Sequence, residues 1–130
     1  MTGYFGSIEE LTLENKFFRR VLFTAKHSQL VLMTLKVGEE IGNEVHQDVD
    51  QFFRIEKGKV KFVLNNGKEK HIARDGDAVI VPGGTWHNVI NVAKGKSKLY
   101  TIYSPPNHPD GTIHKTKKDA ERAERKERKA

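Results

Sequence analysis

His87 stands three residues after the Pro82-Gly83-Gly84 turn in GDAVIVPGGTWHNVIN, at the head of an apolar run. Proline fixes the chain direction and the glycines permit tight backbone passage, so rigid backbone delivers this imidazole to one end of a strand. Upstream, GEEIGNEVHQDVDQFFRIEKGKV crowds Glu44, His46, Asp48, Asp50 and Gln51 around a short turn. Period-two counting puts Glu44, His46 and Asp48 on one face of the first run, and Gln51, Phe53 and Ile55 on one face of the next. Two imidazoles and a nearby amide or carboxylate oxygen, without sulfur, suit a borderline divalent ion such as Zn, Fe, Mn, Ni or Cu rather than Ca. The chain has no Cys, which excludes disulfides, thiolate metal sites, iron–sulfur clusters and cysteine nucleophiles.

The elements that must hold these residues are short β-rich runs: 20–24, 29–35, 41–46, 51–57, 59–64, 68–74, 78–81, 86–92 and 98–103. They are rich in Val, Ile, Phe, Thr and Tyr and recur at the spacing of an all-β sandwich or barrel. Asn65-Asn66-Gly67 is a hairpin signal, because Asn and Gly tolerate positive φ, and Asp75-Gly76-Asp77 and Pro82-Gly83-Gly84 are further sharp turns. The expected organisation is an N-terminal arm over 1–17, one domain over 18–104, a Pro-rich segment over 105–116 and a charged helical or disordered tail over 117–130. The arm holds either one turn of helix or an extra edge strand.

At the histidines the sequence resembles the cupin family. The second cupin motif (Gly, five residues, Pro, one, Gly, two, His, three, Asn) is met in full by Gly76, Pro82, Gly84, His87 and Asn91. The first (Gly, five residues, His-x-His, three or four residues, Glu, six residues, Gly) is met at Gly58, with Gln51 in the Glu place. With His46 in the first His place and a shortened turn, Asp48 stands where the second His belongs. Over about residues 3–118 the chain is similar to small single-domain bacterial cupins described loosely as mannose-6-phosphate-isomerase-like. The resemblance implies a double-stranded β-helix, the cupin or jelly-roll barrel, with a metal at its centre and a homodimeric assembly.

On this reading His46, Gln51 and His87 hold one divalent transition metal ion per chain (Zn, Mn, Fe or Ni), with Asp48 a fourth candidate. The alternative for Asp48 and Asp50 is a turn-stabilising or imidazole-orienting carboxylate. Glu44 and Asp50 are candidate proton carriers. The function expected is a metal-dependent, isomerase-like enzyme acting on a sugar, sugar phosphate or other oxygen-rich small molecule. Iron- or copper-dependent dioxygen chemistry and a non-catalytic binding or sensory role are the competing readings. The stiff Pro105–Pro109 run, carrying His108 and leading to His114, either crosses a barrel mouth or packs along a partner subunit.

The net charge of +6 does not by itself mark a nucleic-acid binder, since eight Lys/Arg and four Asp/Glu fall in 115–130 and leave only +2 for the rest. That tail mixes signs at helical spacing, with only Ala as apolar residue, and reads as a solvated helix. Trp86 and Phe52, on the opposite parity to the site residues, read as core or dimer-contact positions. His27 and His71 read as exposed. No signal peptide or apolar run of membrane-spanning length is present, so a cytoplasmic protein is expected, its partners a small molecule and a second copy.

Overall fold

The computed structural model describes residues 2–129. Among these the chain forms nine strands and two helices: α1 (Ile8–Glu14), β1 (Arg19–Thr24), β2 (Gln29–Leu35), β3 (Asp50–Lys57), β4 (Lys59–Leu64), β5 (Glu69–Arg74), β6 (Ala78–Val81), β7 (His87–Asn91), β8 (Ser97–Ser104), β9 (Ile113–His114) and α2 (Lys117–Lys129). A six-stranded sheet, ordered β6-β3-β8-β2-β1-β9, faces a three-stranded sheet, β5-β4-β7, and every pairing is antiparallel. This is the expected all-β double-stranded β-helix with a short charged C-terminal helix.

Alternation along each strand sends one set of side chains between the sheets. Val31, Met33, Leu35, Phe53, Ile55 and Leu99 from the large sheet meet Val60, Phe62, Leu64 and Val89 from the small one, all buried. Phe53 and Phe62 join the layers edge to face, with ring centroids 5.0 Å apart. The hairpin between β4 and β5 turns through Asn65 and Asn66, at φ of 54° and 56°, a left-handed conformation that Asn adopts more readily than most residues.

Toward one end of this core the inward row changes chemistry. Gln51 of β3 lies opposite Tyr103 of β8, which lies opposite Gln29 of β2, and all three are buried. Gln29 ties the Pro-rich segment to this end: its amide nitrogen donates to the His108 carbonyl (2.7 Å), and its oxygen accepts from the Asn107 and His108 N–H groups (3.1 and 3.0 Å).

Two expectations change. Residues 41–46 are not a strand; the ladder here against β7 is reduced to two isolated bridges, Glu40–Ile90 and Glu44–His87. Between these Gly42 takes a φ of 110° and donates its N–H to Asn88 Oδ1, which interrupts the ladder. The tail is helical, as its charge spacing suggested, but not wholly solvated. Ala120 is 2% exposed within the core cluster, and Glu124 lies 3.8 Å from the buried Arg19. Trp86 is part-exposed at 42%. No helix among the described residues is long and apolar enough to cross a membrane.

Candidate metal centre

His87 opens β7, and its backbone is held from both sides. Leu64 of β4 pairs with it on one side; on the other the Glu44 N–H donates to the His87 carbonyl (2.8 Å) and the His87 N–H to the Glu44 carbonyl (2.9 Å). Directly opposed residues of an antiparallel pair point to the same face, so the Glu44 and His87 side chains meet. The preceding turn is fastened to the loop that carries His46. Gly84 donates its N–H to the His46 carbonyl (2.9 Å), and Gly83 donates to Asp50 Oδ1 (2.8 Å). A Cβ at Gly83 would sit 2.8 Å from the Gln47 carbonyl oxygen, so only glycine lets the two loops pass this closely.

Glu44 Oε1 lies 3.3 Å from His46 Nε2 and 3.6 Å from His87 Nε2, and one ligand atom from each of the three residues falls within 4.8 Å of the others. The imidazole of His87 has its Nδ1 3.0 Å from the Thr85 carbonyl. A carbonyl only accepts, so Nδ1 carries the proton and Nε2 offers its lone pair to the site. Gln51 is oriented in a similar way. The Thr101 hydroxyl donates to the Phe52 carbonyl (2.8 Å) and so accepts from the Gln51 amide nitrogen (3.0 Å), which turns Gln51 Oε1 the other way. His46 Nε2, His87 Nε2 and Gln51 Oε1 are all buried without a hydrogen-bond partner.

Such orphaned atoms are costly and rare in a folded core, and the two imidazole nitrogens that converge on Glu44 call for something that satisfies both. Two imidazole nitrogens, a carboxylate and an amide oxygen fit a borderline divalent transition ion. The electrostatics favour a charged site. Burial alone would raise the Glu44 carboxyl, but the His46 and His87 imidazoles, 3.3 and 3.6 Å away, outweigh it and hold the pKa at about 2. Burial pulls His87 down, yet the Glu44 carboxylate and the Thr85 carbonyl leave it above its ordinary value.

The structure therefore brings together Glu44, His46 and His87, with Gln51 on the inner face of β3. It does not bring in the aspartates. Asp48 is exposed and outside the group, and Asp50 is exposed with its carboxylate bound to the Gly83 turn. Putting His46 in the first His place sets the first motif two residues out of frame and leaves Glu44 outside the ligand set, as a proton carrier only. Counted from Gly38, five residues lead to Glu44-x-His46, four more to Gln51 and six more to Gly58, which puts Glu44 in the first His place and His46 in the second. Gly38, at a φ of 74°, was the available signal.

Three further residues border the site: Tyr103 and Arg19, and His108 of the Pro-rich segment, whose expected places include a barrel mouth. Tyr103 is fully buried, its ring 5.8 Å from that of His46, and burial pushes its phenol up. His108 stacks edge-on to Tyr103, with Nε2 3.2 Å from the hydroxyl; burial, helped by the Arg19 charge, lowers it to about 3. Arg19 is buried at the start of β1. A pocket of about 750 Å³ opens over the centre, with Arg19, Glu44, His46, His108, His114 and Glu124 in its wall.

A family model described as "Cupin domain" matches residues 31–103. The uncharacterized protein YrkC of Bacillus subtilis (strain 168) is 50% identical over 124 residues, which cover 91% of this chain and 66% of that one. The uncharacterized protein L612 of Acanthamoeba polyphaga mimivirus is 46% identical over 112 residues, 85% of this chain and 70% of its own. The chain thus spans just under two thirds of the length of the first relative. Among solved structures, BH2720 from Bacillus halodurans superposes with a TM-score of 0.90 at 42% identity, covering 92% of this chain and 93% of that one.

Proposed function

Because this chain belongs to the cupin family, we propose that it is a metal-dependent enzyme acting on a small oxygen-rich molecule such as a sugar, a sugar phosphate or a keto acid. Glu44, His46, Gln51 and His87 form the ligand set. The observation that carries this is the convergence of buried, partnerless His46 Nε2 and His87 Nε2 on the Glu44 carboxylate, with Gln51 Oε1 also orphaned. A divalent ion such as Zn, Mn, Fe or Ni, when bound, supplies Lewis acidity toward a carbonyl or hydroxyl oxygen.

The rest of the chemistry falls to residues of the pocket. His108, neutral at ordinary pH and with Nε2 3.2 Å from the Tyr103 hydroxyl, hydrogen-bonds and orients the substrate in the pocket. Asp50 acts at a distance by holding the Gly83 turn that presents His87. The segment 105–109, anchored on Gln29, screens this end of the barrel from water. The protein works as a homodimer, joined through the outer face of β3 and β6, where Phe52 lies opposite both Ile80 and Ile102 and Ile80 is 66% exposed.

Turnover of a panel of aldoses, ketoses, their phosphates and 2-keto acids, by chelator-treated and metal-restored protein, tests this reading. Activity restored by one metal and lowered by His108→Gln supports it. Full metal occupancy without turnover on the panel refutes the enzymatic part and leaves a metal-bearing binding module.

A further inference from the structure

Arg19 is out of keeping with its position. Strand alternation in β1 turns Arg19 and Val21 inward and Arg20 outward, and among the described residues Arg19 is the one Lys or Arg that is buried, at 2% exposure. A buried guanidinium is normally held by close carboxylates or several acceptors, because its desolvation is otherwise uncompensated. Here Nη1 has the His114 imidazole at 3.3 Å and Glu124 Oε1 at 3.8 Å, the latter beyond hydrogen-bond length, while Nε is buried with no partner at all. Phe18 lies against the guanidinium, 5.3 Å away at its ring centroid, and offers no lone pair. The fork is thus formed and desolvated but under-used.

It also faces the pocket that Glu44 and His46 line, so a single small molecule can touch Arg19 at one end and Glu44 and His46 at the other. The pocket rim carries both signs, Lys117 and Arg125 against Glu121 and Glu127, with all but Lys117 exposed to water. Those charges are solvated, and the Arg19 charge is not. We propose that the pocket takes a small organic anion, a carboxylate or a phosphate, seated on the Arg19 guanidinium, and that Glu124 of α2 occupies this seat as an internal competitor when the pocket is free. The geometry suits this chemistry because planar guanidinium donors match two oxygens of one carboxylate or phosphate. Glu124, 46% exposed on the C-terminal helix, can turn out to water when a better-aligned anion arrives.

The inference rests on the proposed function only for where the ligand's other end goes; the anion seat can be measured without any metal. The full chain, as purified and after chelator treatment, is titrated with pyruvate, inorganic phosphate and glucose, following heat and the Arg19 Nε–H resonance by NMR. At least one anion is expected to bind saturably and shift that resonance in both preparations, while glucose does not; which anion binds tighter separates a carboxylate ligand from a phosphate one. Glu124→Gln, a change on a half-exposed side chain, is expected to tighten that anion several-fold, and Arg19→Gln to weaken it by about tenfold or more, the loss of a hydrogen bond to a charged group. Arg19→Lys, which keeps the charge without the fork, should fall between. Absence of saturable anion binding in wild type and in Glu124→Gln, or unchanged affinity in Glu124→Gln, overturns the proposal. Anion binding that survives where metal binding fails overturns the metal reading alone.

Discussion

Glu44 and His87, forty-three positions apart in the sequence, exchange both backbone hydrogen bonds, at 2.8 and 2.9 Å, and bring Oε1 and Nε2 to 3.6 Å. One register therefore sets the distance between a carboxylate from the first motif and an imidazole from the second. The Gly84 to His46 bond adds the third group to the same frame. A site so dependent on backbone pairing is preorganised, and substitutions should divide into those that remove a ligand and those that disturb the frame.

Removing a ligand should leave the fold. His46→Ala and His87→Ala are each expected to reduce metal affinity by more than the about 10- to 100-fold that loss of a mere orienting partner costs, with far-UV circular dichroism unchanged. Gln51→Ala should cost less, since a neutral amide oxygen is the weaker donor, and Gln51→Glu should retain or strengthen binding. Equilibrium dialysis of each variant against a buffered metal decides this; wild-type affinity in His87→Ala would contradict the site.

Disturbing the frame should cost both stability and metal. Gly83→Ala forces a Cβ to within 2.8 Å of the Gln47 carbonyl, so the loops must part. Overpacking of this kind costs about 1–3 kcal/mol. Urea denaturation should show the loss, and metal affinity should fall with it although no ligand has changed. A variant as stable as wild type would mean that the loops yield freely.

The C-terminal helix is expected to be structural. Ala120 is buried, so Ala120→Lys places a charge where it loses its water and should cost at least about 2 kcal/mol. Deleting residues 117–130 should lower the melting temperature as well, because it also takes Glu124 from Arg19. Thermal melts of both variants check this; an unchanged midpoint on truncation would restore the solvated-tail expectation.

Pro82, Gly83 and Gly84 encode their turn locally, and Asn65 and Asn66 encode theirs, so His87 and the β4–β5 hairpin could be placed without knowing the rest. Residues 41–46 could not be placed, because alternating polarity there reads as a strand while Gly42 breaks the ladder. The frame of the first motif slipped for the related reason that Gly38, not the histidine pattern, sets its start. Ala120 and Arg19 were illegible. A single alanine in a charged helix gives no apolar periodicity, and alternation says which face an arginine takes but not that a pocket lies on that face.

Acid should destabilise the metal-free protein partly through His108. Its pKa is about 3 in the fold and about 6.5 when unfolded, so between those values the unfolded chain binds the extra proton. Stability therefore falls as pH falls through this window, by at most about 1.4 kcal/mol per pH unit from this group. His87, raised in the fold, works the other way: its contribution is present below about 6.5 and is lost as pH rises through the folded value. Comparing wild type with His108→Gln isolates the first effect, and denaturant midpoints at about pH 6.5 and about pH 5 should differ less in the variant. Equal differences would show that His108 protonates freely in the fold.

The proposed homodimer predicts sedimentation at about twice the 14.8 kDa chain mass. Phe52→Lys, on the outer face of β3 and paired with the exposed Ile80, should shift the protein toward monomer without loss of fold. A monomer at micromolar concentration in wild type would remove the assembly from the account.

If Glu44, His46, Gln51 and His87 form a metal centre, metal-free protein titrated with Co(II) should gain a visible d–d absorption. That absorption is expected to saturate at one ion per chain in wild type and to be lost in His87→Ala. A titration with no saturable signal in wild type, or one that His87→Ala leaves unchanged, would contradict it.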